Sequence, residues 1–273
     1  FPLSPPVLLS FVFLSPASAA AQTTDYEIVY PEEVYFPIER AELVAANAGR
    51  LAVYDAAAHA ILVLSEDDAA ARMEAPLSEQ VTGLWLTSSA LLLRTTAQDA
   101  VKYYFAELSA SSVLLTPTTL DTPEAIEYIV ADSDFFYAKS NDAVALYALS
   151  SGALTMSKLI DDQYVKGRYI FAANEGVLYF YAVNYSEREY ICFDTTSETA
   201  EAIIPDVGFL PTAVAYCGSA AAGGILADGL GATLKVVSSA NGSTVLFDTG
   251  IAYDENTVFA ADGNTVYVVN GSG

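Results

Sequence analysis

Polar and apolar positions alternate along this chain in short runs, and the runs recur. From Tyr128 the sequence reads YIVA, a polar turn, DFFYAK, a second turn, VALYALS, a third turn and ALTMSKL. At Tyr169 the phrase returns as YIFA, GVLYFYAV, REYICFD and TAEAIIP. It runs from Glu42 as ELVAANAG, RLAVYDA, AILVLSE and ARMEAP, and from Gly83 as GLWLTSS, ALLLRTT, VKYYFAEL and SVLLTPT. From Thr212 it reads TAVAYCGS, AGGILAD, ATLKVVS and STVLFDT. A last copy from Gly250 has only GIAYDE, TVFAADG and TVYVVN. A repeat of roughly 40 residues is the primary fact here, because stacked repeats bury a core that no single copy can bury alone.

Each run has the two-residue alternation and the aromatic and β-branched content of a half-buried strand. Between the second and third runs lie Ala56 to His59, Ala97 to Asp99, Ser140 to Asp142, Asn184 to Arg188, Asp228 to Gly231 and Asp262 to Asn264. The Gly, Asn and Asp in these pieces are expected to supply the positive φ angles of tight hairpins. Four-stranded antiparallel units with no helical periodicity between them predict an all-β fold, a β-propeller. Repeats start near residues 42, 83, 127, 168, 212 and 250 of a single propeller domain spanning 22–273.

A propeller closes its ring to avoid unpaired strand edges. The three-stranded last copy lacks one strand, and DYEIVYPEEVYFPIER, Asp25 to Arg40, offers a spare one. That arithmetic predicts six four-stranded blades closed by an N-terminal strand. The alternative is a ring of seven or eight blades of which this chain is a part, and the ending Gly271-Ser272-Gly273 has the look of a turn cut in mid-phrase.

The N-terminal stretch changes the compartment. Val7 to Leu14 is an apolar run, followed by the small residues Ala17-Ser18-Ala19-Ala20-Ala21. This is the apolar region and cleavage site of a secretory signal peptide over residues 1–21. The positive segment that normally opens a signal is missing, since the first basic residue is Arg40. The run is far short of the roughly 20 apolar residues a spanning helix needs, so stable membrane insertion is not expected. Secretion, to the extracellular space or the cell surface, is.

The 273 residues carry 34 acidic and 11 basic side chains, a formal charge of −23. Such a field repels the phosphate backbone, so nucleic acid is not an expected partner. It suits a soluble monomer, and it would favour a cationic ligand if any charged ligand binds. Cys192 and Cys217 are the only cysteines. They form no disulfide framework; they can pair with each other in an oxidising compartment or stand as two small buried hydrophobes.

FFYAKSNDAVALYALSSGALTM, with its echoes GILADGLGATLKVVSSANGSTVLF and TVFAADGNTVYVVNGSG, resembles the repeats of pyrroloquinoline-quinone-like propellers and the related surface-layer YVTN-type propellers. The resemblance covers most of residues 42–273 and implies fold. It implies no cofactor, because the basic and metal-binding side chains of a quinoprotein cavity match no motif here. The family's repeat ends in Trp, whereas this chain has Met156, Val245 and Leu246 in that place and only Trp85 elsewhere.

Candidate chemistry is sparse. His59 is the only histidine, so multi-histidine metal centres are out of reach and the one candidate imidazole base sits in a turn, DAAAHAILV. Glu66-Asp67-Asp68 and Asp161-Asp162 are the paired carboxylates a glycosidase would need, but both lie in polar loops. No calcium loop, nucleophile elbow or phosphate cradle occurs. Asn184-Tyr185-Ser186 and Asn241-Gly242-Ser243 match the glycosylation triplet. Tyr103, Tyr104, Tyr137, Tyr147, Tyr179, Tyr181 and Tyr190 fall within repeat strands, where blade-on-blade packing competes with a role as a glycan or peptide platform. The poverty of catalytic motifs predicts a non-catalytic binding or scaffold module for an extracellular protein or glycan. A polysaccharide hydrolase or lyase with carboxylates at the channel mouth, and a surface-layer component, are the alternatives.

Overall fold

The computed structural model describes residues 9–14, 26–29, 38–65, 72–98, 100–108, 113–122, 124–184, 187–205, 214–217, 225–228, 233–238, 245–252, 257–262 and 265–270. Every regular element among them is a β-strand. Two strands come first, β1 (Leu9–Leu14) and β2 (Tyr26–Val29). The first sheet is then β3 (Ala41–Asn47), β4 (Arg50–Asp55), β5 (Ala60–Ser65) and β6 (Arg72–Pro76). The second is β7 (Gln80–Leu86), β8 (Ala90–Ala97), β9 (Ala100–Glu107) and β10 (Thr116–Thr118). The third is β11 (Tyr128–Ala131), β12 (Phe136–Lys139), β13 (Val144–Ser150) and β14 (Ala153–Ile160).

The fourth sheet is β15 (Tyr169–Asn174), β16 (Val177–Asn184), β17 (Glu187–Asp194) and β18 (Thr199–Pro205). The fifth is β19 (Val214–Cys217), β20 (Ile225–Asp228), β21 (Thr233–Ser238) and β22 (Val245–Ala252). Two further strands, β23 (Thr257–Asp262) and β24 (Thr265–Asn270), join β1 and β2 in the order β2-β1-β24-β23. All pairings within these sheets are antiparallel, and the first strand of each repeat touches the first strand of the next, ending with β23 against β3. This is the arrangement of a β-propeller.

The strand arithmetic of the last sheet differs from the sequence expectation. Gly250-Ile251-Ala252 does not open a new unit but ends β22: the register slips between Thr233 and Lys235, so the chain bulges through Thr249 to Ile251 and resumes pairing at Ala252. The last repeat therefore supplies two strands instead of three, and the N-terminal segment supplies two instead of one. The strand next to β24 is β1, drawn from the apolar run Val7 to Leu14, with Phe11 opposite Tyr267.

The core lies between sheets, from the last through the first, second and third to the fourth. Leu51, Val53, Leu62 and Leu64 of the first sheet meet Tyr267 and Val269 of the last. The other face of the first sheet, with Tyr54, Ile61 and Val63, meets Leu91 and Leu93 of the second. Leu92 and Phe105 meet Phe136 and Tyr147 of the third, whose Tyr137 and Leu146 meet Phe180 and Phe193 of the fourth. Both faces of these sheets are buried, which is why several strands read as continuous apolar runs such as AILVLS.

The second-to-third turns carry single positive φ angles at His59 and Gln98, where the sequence places them but not on Gly, Asn or Asp, and paired positive φ angles occur in other turns. They stand at Ala48-Gly49 and Glu175-Gly176, between first and second strands, and at Ser151-Gly152, between third and fourth. Paired positive φ angles are the twist-matched geometry of two-residue hairpins. In the turn that ends at His59 a side chain helps as well: Asp55 Oδ1 accepts the N–H groups of Ala57 and Ala58 at 3.0 and 3.3 Å.

Candidate binding site

The first strand of each repeat is hydrogen-bonded within its sheet on one side only, and among the described residues the inner edges of five of these strands line a cavity of about 250 Å³. Three successive residues come from each of five strands: Val44–Ala46, Leu84–Leu86, Ile129–Ala131, Phe171–Ala173 and Phe259–Ala261. None is ionisable. Bulges shape this wall, because Glu42, Thr82 and Phe171 are skipped in the ladders to the second strands. A bulge bends its strand and re-aims the side chains around it.

Trp85 takes the space next to Gly83, and the Arg94 guanidinium lies 5.9 Å from the indole centroid. Arg94 is fixed by Thr82, donating to its carbonyl at 2.9 Å and to its hydroxyl at 3.1 Å. An Arg over a Trp face is a favourable cation–π pair.

One end of the channel is bounded by the last residues of the first strands and the turns after them. Asp132, buried, accepts Asp134 N and Phe135 N on Oδ1, and the Tyr137 hydroxyl and Gly176 N of the next sheet on Oδ2, all between 2.7 and 2.9 Å. Asp262 repeats the device by accepting Gly49 N at 2.7 Å. Asn47 donates to Leu86 O at 3.2 Å and accepts from the Ser133 hydroxyl at 3.3 Å. Ser88 donates to Ser133 O. Neighbouring turns are thus sewn together by short polar side chains.

The other end is set by the starts of the same strands. Tyr128 and Tyr169 meet there edge to face, with ring centroids 5.5 Å apart. Tyr169 is 49% exposed. Among the described residues neither hydroxyl makes a hydrogen bond, and burial, with smaller contributions from Tyr169 and Glu127, raises the Tyr128 pKa, so it stays a neutral donor. Behind Tyr128, in register with it, lies Lys139, fully buried, whose ammonium donates to the carbonyls of Ser140 and, at 2.8 Å, Asn141. Burial lowers the Lys139 pKa, opposed by Glu127, Asp142 and Glu124.

Residues singled out from the sequence are scattered rather than gathered. His59 is exposed in its turn at φ 52°, and its carbonyl accepts Leu77 N. Asp161 pairs with Lys166 at 2.8 Å, and Asp162 caps its own loop by accepting Tyr164 N at 2.7 Å. Glu66-Asp67-Asp68 lie outside the described residues, as do Tyr185, Ser186 and Asn241-Gly242-Ser243 of the two glycosylation triplets, and the side chains of Asn184 and Tyr190. Tyr137, Tyr147, Tyr179 and Tyr181 are buried between sheets. The Tyr147 hydroxyl donates to Asp121 O at 2.7 Å and its pKa is pushed up to about 12, by burial first and Asp121 second. Tyr104 and Tyr103 are half-buried on β9. Cys192 on β17 and Cys217 on β19 belong to neighbouring sheets; the Cys217 side chain lies outside the described residues.

The sequence reading missed the Tyr128–Tyr169 pair and the turn clamps. A signal for the clamps was present: Asn47, Thr87, Asp132, Asn174 and Asp262 recur at the same place in five repeats.

No protein-family model matches the chain, and neither does any curated protein. Solved structures do match in fold. TolB from Acinetobacter baumannii is 12% identical over 97% of this chain and 64% of that one, at a TM-score of 0.50, so this chain spans less than two thirds of TolB. AztD from Citrobacter koseri is 11% identical over 90% of this chain and 70% of that one, at 0.46. The β-propeller domain of Cps50 (Swd1) from Myceliophteria thermophila is 7% identical over 84% and 83%, at 0.43. The likeness is one of β-propeller fold. No described helix is long and apolar enough to cross a membrane.

Proposed function

We propose that this chain is a secreted, non-catalytic propeller that serves as a binding or scaffold module for a partner outside the cell or on its surface. One observation carries the reading: among the described residues the channel lining has no ionisable side chain, and the carboxylates at the ends of its strands, Asp132 and Asp262, are engaged as acceptors that join turns. Glycoside hydrolysis needs two carboxyls facing a sugar across about 5–10 Å, and these acids are committed elsewhere. The net charge supports a monomeric, soluble state.

A ring of six blades is part of the proposal. The six four-stranded sheets, and contacts between first strands that run β3, β7, β11, β15, β19, β23 and back to β3, support it. Residues 9–14 carry two roles in this scheme, as the apolar part of a signal peptide and as β1. Cleavage near Ala21 removes β1, so in the secreted chain three strands of the last sheet, β2, β24 and β23, remain to close the ring.

The test is turnover. A panel of extracellular polysaccharides incubated with the protein should release no reducing ends and no unsaturated products. Release that a single Asp or Glu substitution abolishes, with the fold intact, overturns the reading in favour of a hydrolase or lyase.

A further inference from the structure

The channel pairs features that together select a ligand class. Its side chains are apolar and many are small, yet β3, β7 and β11 are each end strands of their sheets. The inner edge of an end strand presents alternate N–H and C=O groups with no ladder partner. Among the described residues the wall is therefore a set of fixed, neutral donors and acceptors between apolar side chains, with no charge to balance an ion. Tyr128 directly precedes the lining residue Ile129 and Tyr169 stands two residues before the lining residue Phe171; among the described residues neither hydroxyl makes a hydrogen bond, and Tyr169 is half exposed.

The volume, about 250 Å³, holds roughly eight waters at about 30 Å³ each. That room suits one sugar ring with some solvent left. Apolar C–H faces of a sugar match aromatic rings, and its hydroxyls match neutral backbone groups, as in other pockets where a few polar groups orient a ligand between apolar walls. The charge of −23 disfavours an acidic sugar.

We propose that this channel, entered past Tyr128 and Tyr169, binds the terminal residue of a neutral glycan. The proposal rests on the binding-module reading and narrows its partner to an uncharged carbohydrate end. Tyr169 packs on the incoming sugar and Tyr128 braces Tyr169; the sugar hydroxyls exchange hydrogen bonds with water for hydrogen bonds with the inner strand edges.

Trp85 is the only tryptophan and lies in the channel wall, so its emission reports occupancy. The full chain is titrated with methyl glycosides of glucose, galactose, mannose and N-acetylglucosamine, and with glucuronate and tetramethylammonium as charged controls. At least one neutral glycoside should change Trp85 emission saturably, with glucuronate and tetramethylammonium inert. Tyr169→Ala should weaken that binding about five- to tenfold, the worth of one aromatic contact, while Val101→Ala, at an exposed position on β9, leaves it unchanged. No saturable response to any neutral glycoside overturns the proposal, as does a response shared with a charged control or one indifferent to Tyr169→Ala. Absence of binding here without polysaccharide turnover removes only the channel ligand; turnover of a glycan removes the binding-module reading itself.

Discussion

The indole of Trp85 lies over the Cα of Gly83: a Cβ at Gly83 would sit 2.8 Å from Cζ2 and Cζ3 of the ring. That approach is closer than any real Cβ contact, so position 83 admits glycine alone while Trp85 keeps its place beside Arg94. The prediction is that Gly83→Ala expels the ring, at an overpacking cost of about 1–3 kcal/mol. Urea denaturation should show the loss, and the Trp85 emission maximum should move to the red. A variant with unchanged emission and stability would refute the contact.

The two acidic turn clamps differ in how much they hold, and their variants should rank accordingly. Asp132 is buried and accepts four donors, one of them from the next sheet. Asp262, half-buried, accepts Gly49 N. Hydrogen bonds to a charged group are the stronger kind, and donors left buried without an acceptor are costly. Asp132→Ala should lose about 2–4 kcal/mol and Asp262→Ala about 1 kcal/mol by denaturant midpoint. Equal losses would contradict the assignment.

Asp55 makes the fold acid-sensitive. It is fully buried; burial pulls its pKa up, but the N–H groups of Glu39, Arg40, Ala58 and Ala57 together hold it below the ordinary carboxylate value. A lowered pKa in the fold contributes stability above the unfolded value, near 4, that is lost as pH falls through the folded value. The stability of the Asp55→Asn variant should therefore fall less between pH 5 and pH 2 than that of the parent. A parallel pH profile would remove Asp55 from the account.

Lys139 moves stability in the same direction with pH, over a higher range. Its pKa is lowered by burial, so between the folded value and the unfolded value near 10.4 the unfolded chain binds more protons, and stability rises with pH. Lys139→Met keeps the length of the side chain and removes the charge, and it should flatten that rise. A slope unchanged from pH 8 to pH 10.5 would contradict it.

The repeat period made the strands of the first five sheets legible, because alternation and turn residues are local properties. VALYALS and REYICFD sit where the pattern put them. The last sheet was less legible for a physical reason: Gly250-Ile251-Ala252 begins like a new strand, and only the pairing of Ala252 with Thr233 shows it to be the far side of a bulge. The site was least legible. Tyr128 and Tyr169 look like any other strand tyrosines in the sequence, and it takes the curvature of the ring to bring the starts of β11 and β15 together.

The most direct test of the central claim, an open and uncharged channel inside an acidic ring, is collisional quenching of Trp85. Neutral acrylamide should quench its emission efficiently, and iodide should quench it far less, because the protein's negative field repels an anion that must enter the channel. Protection from acrylamide would mean that the sheets close on the axis and leave no site, and equal quenching by iodide and acrylamide would mean that Trp85 lies on the outer surface.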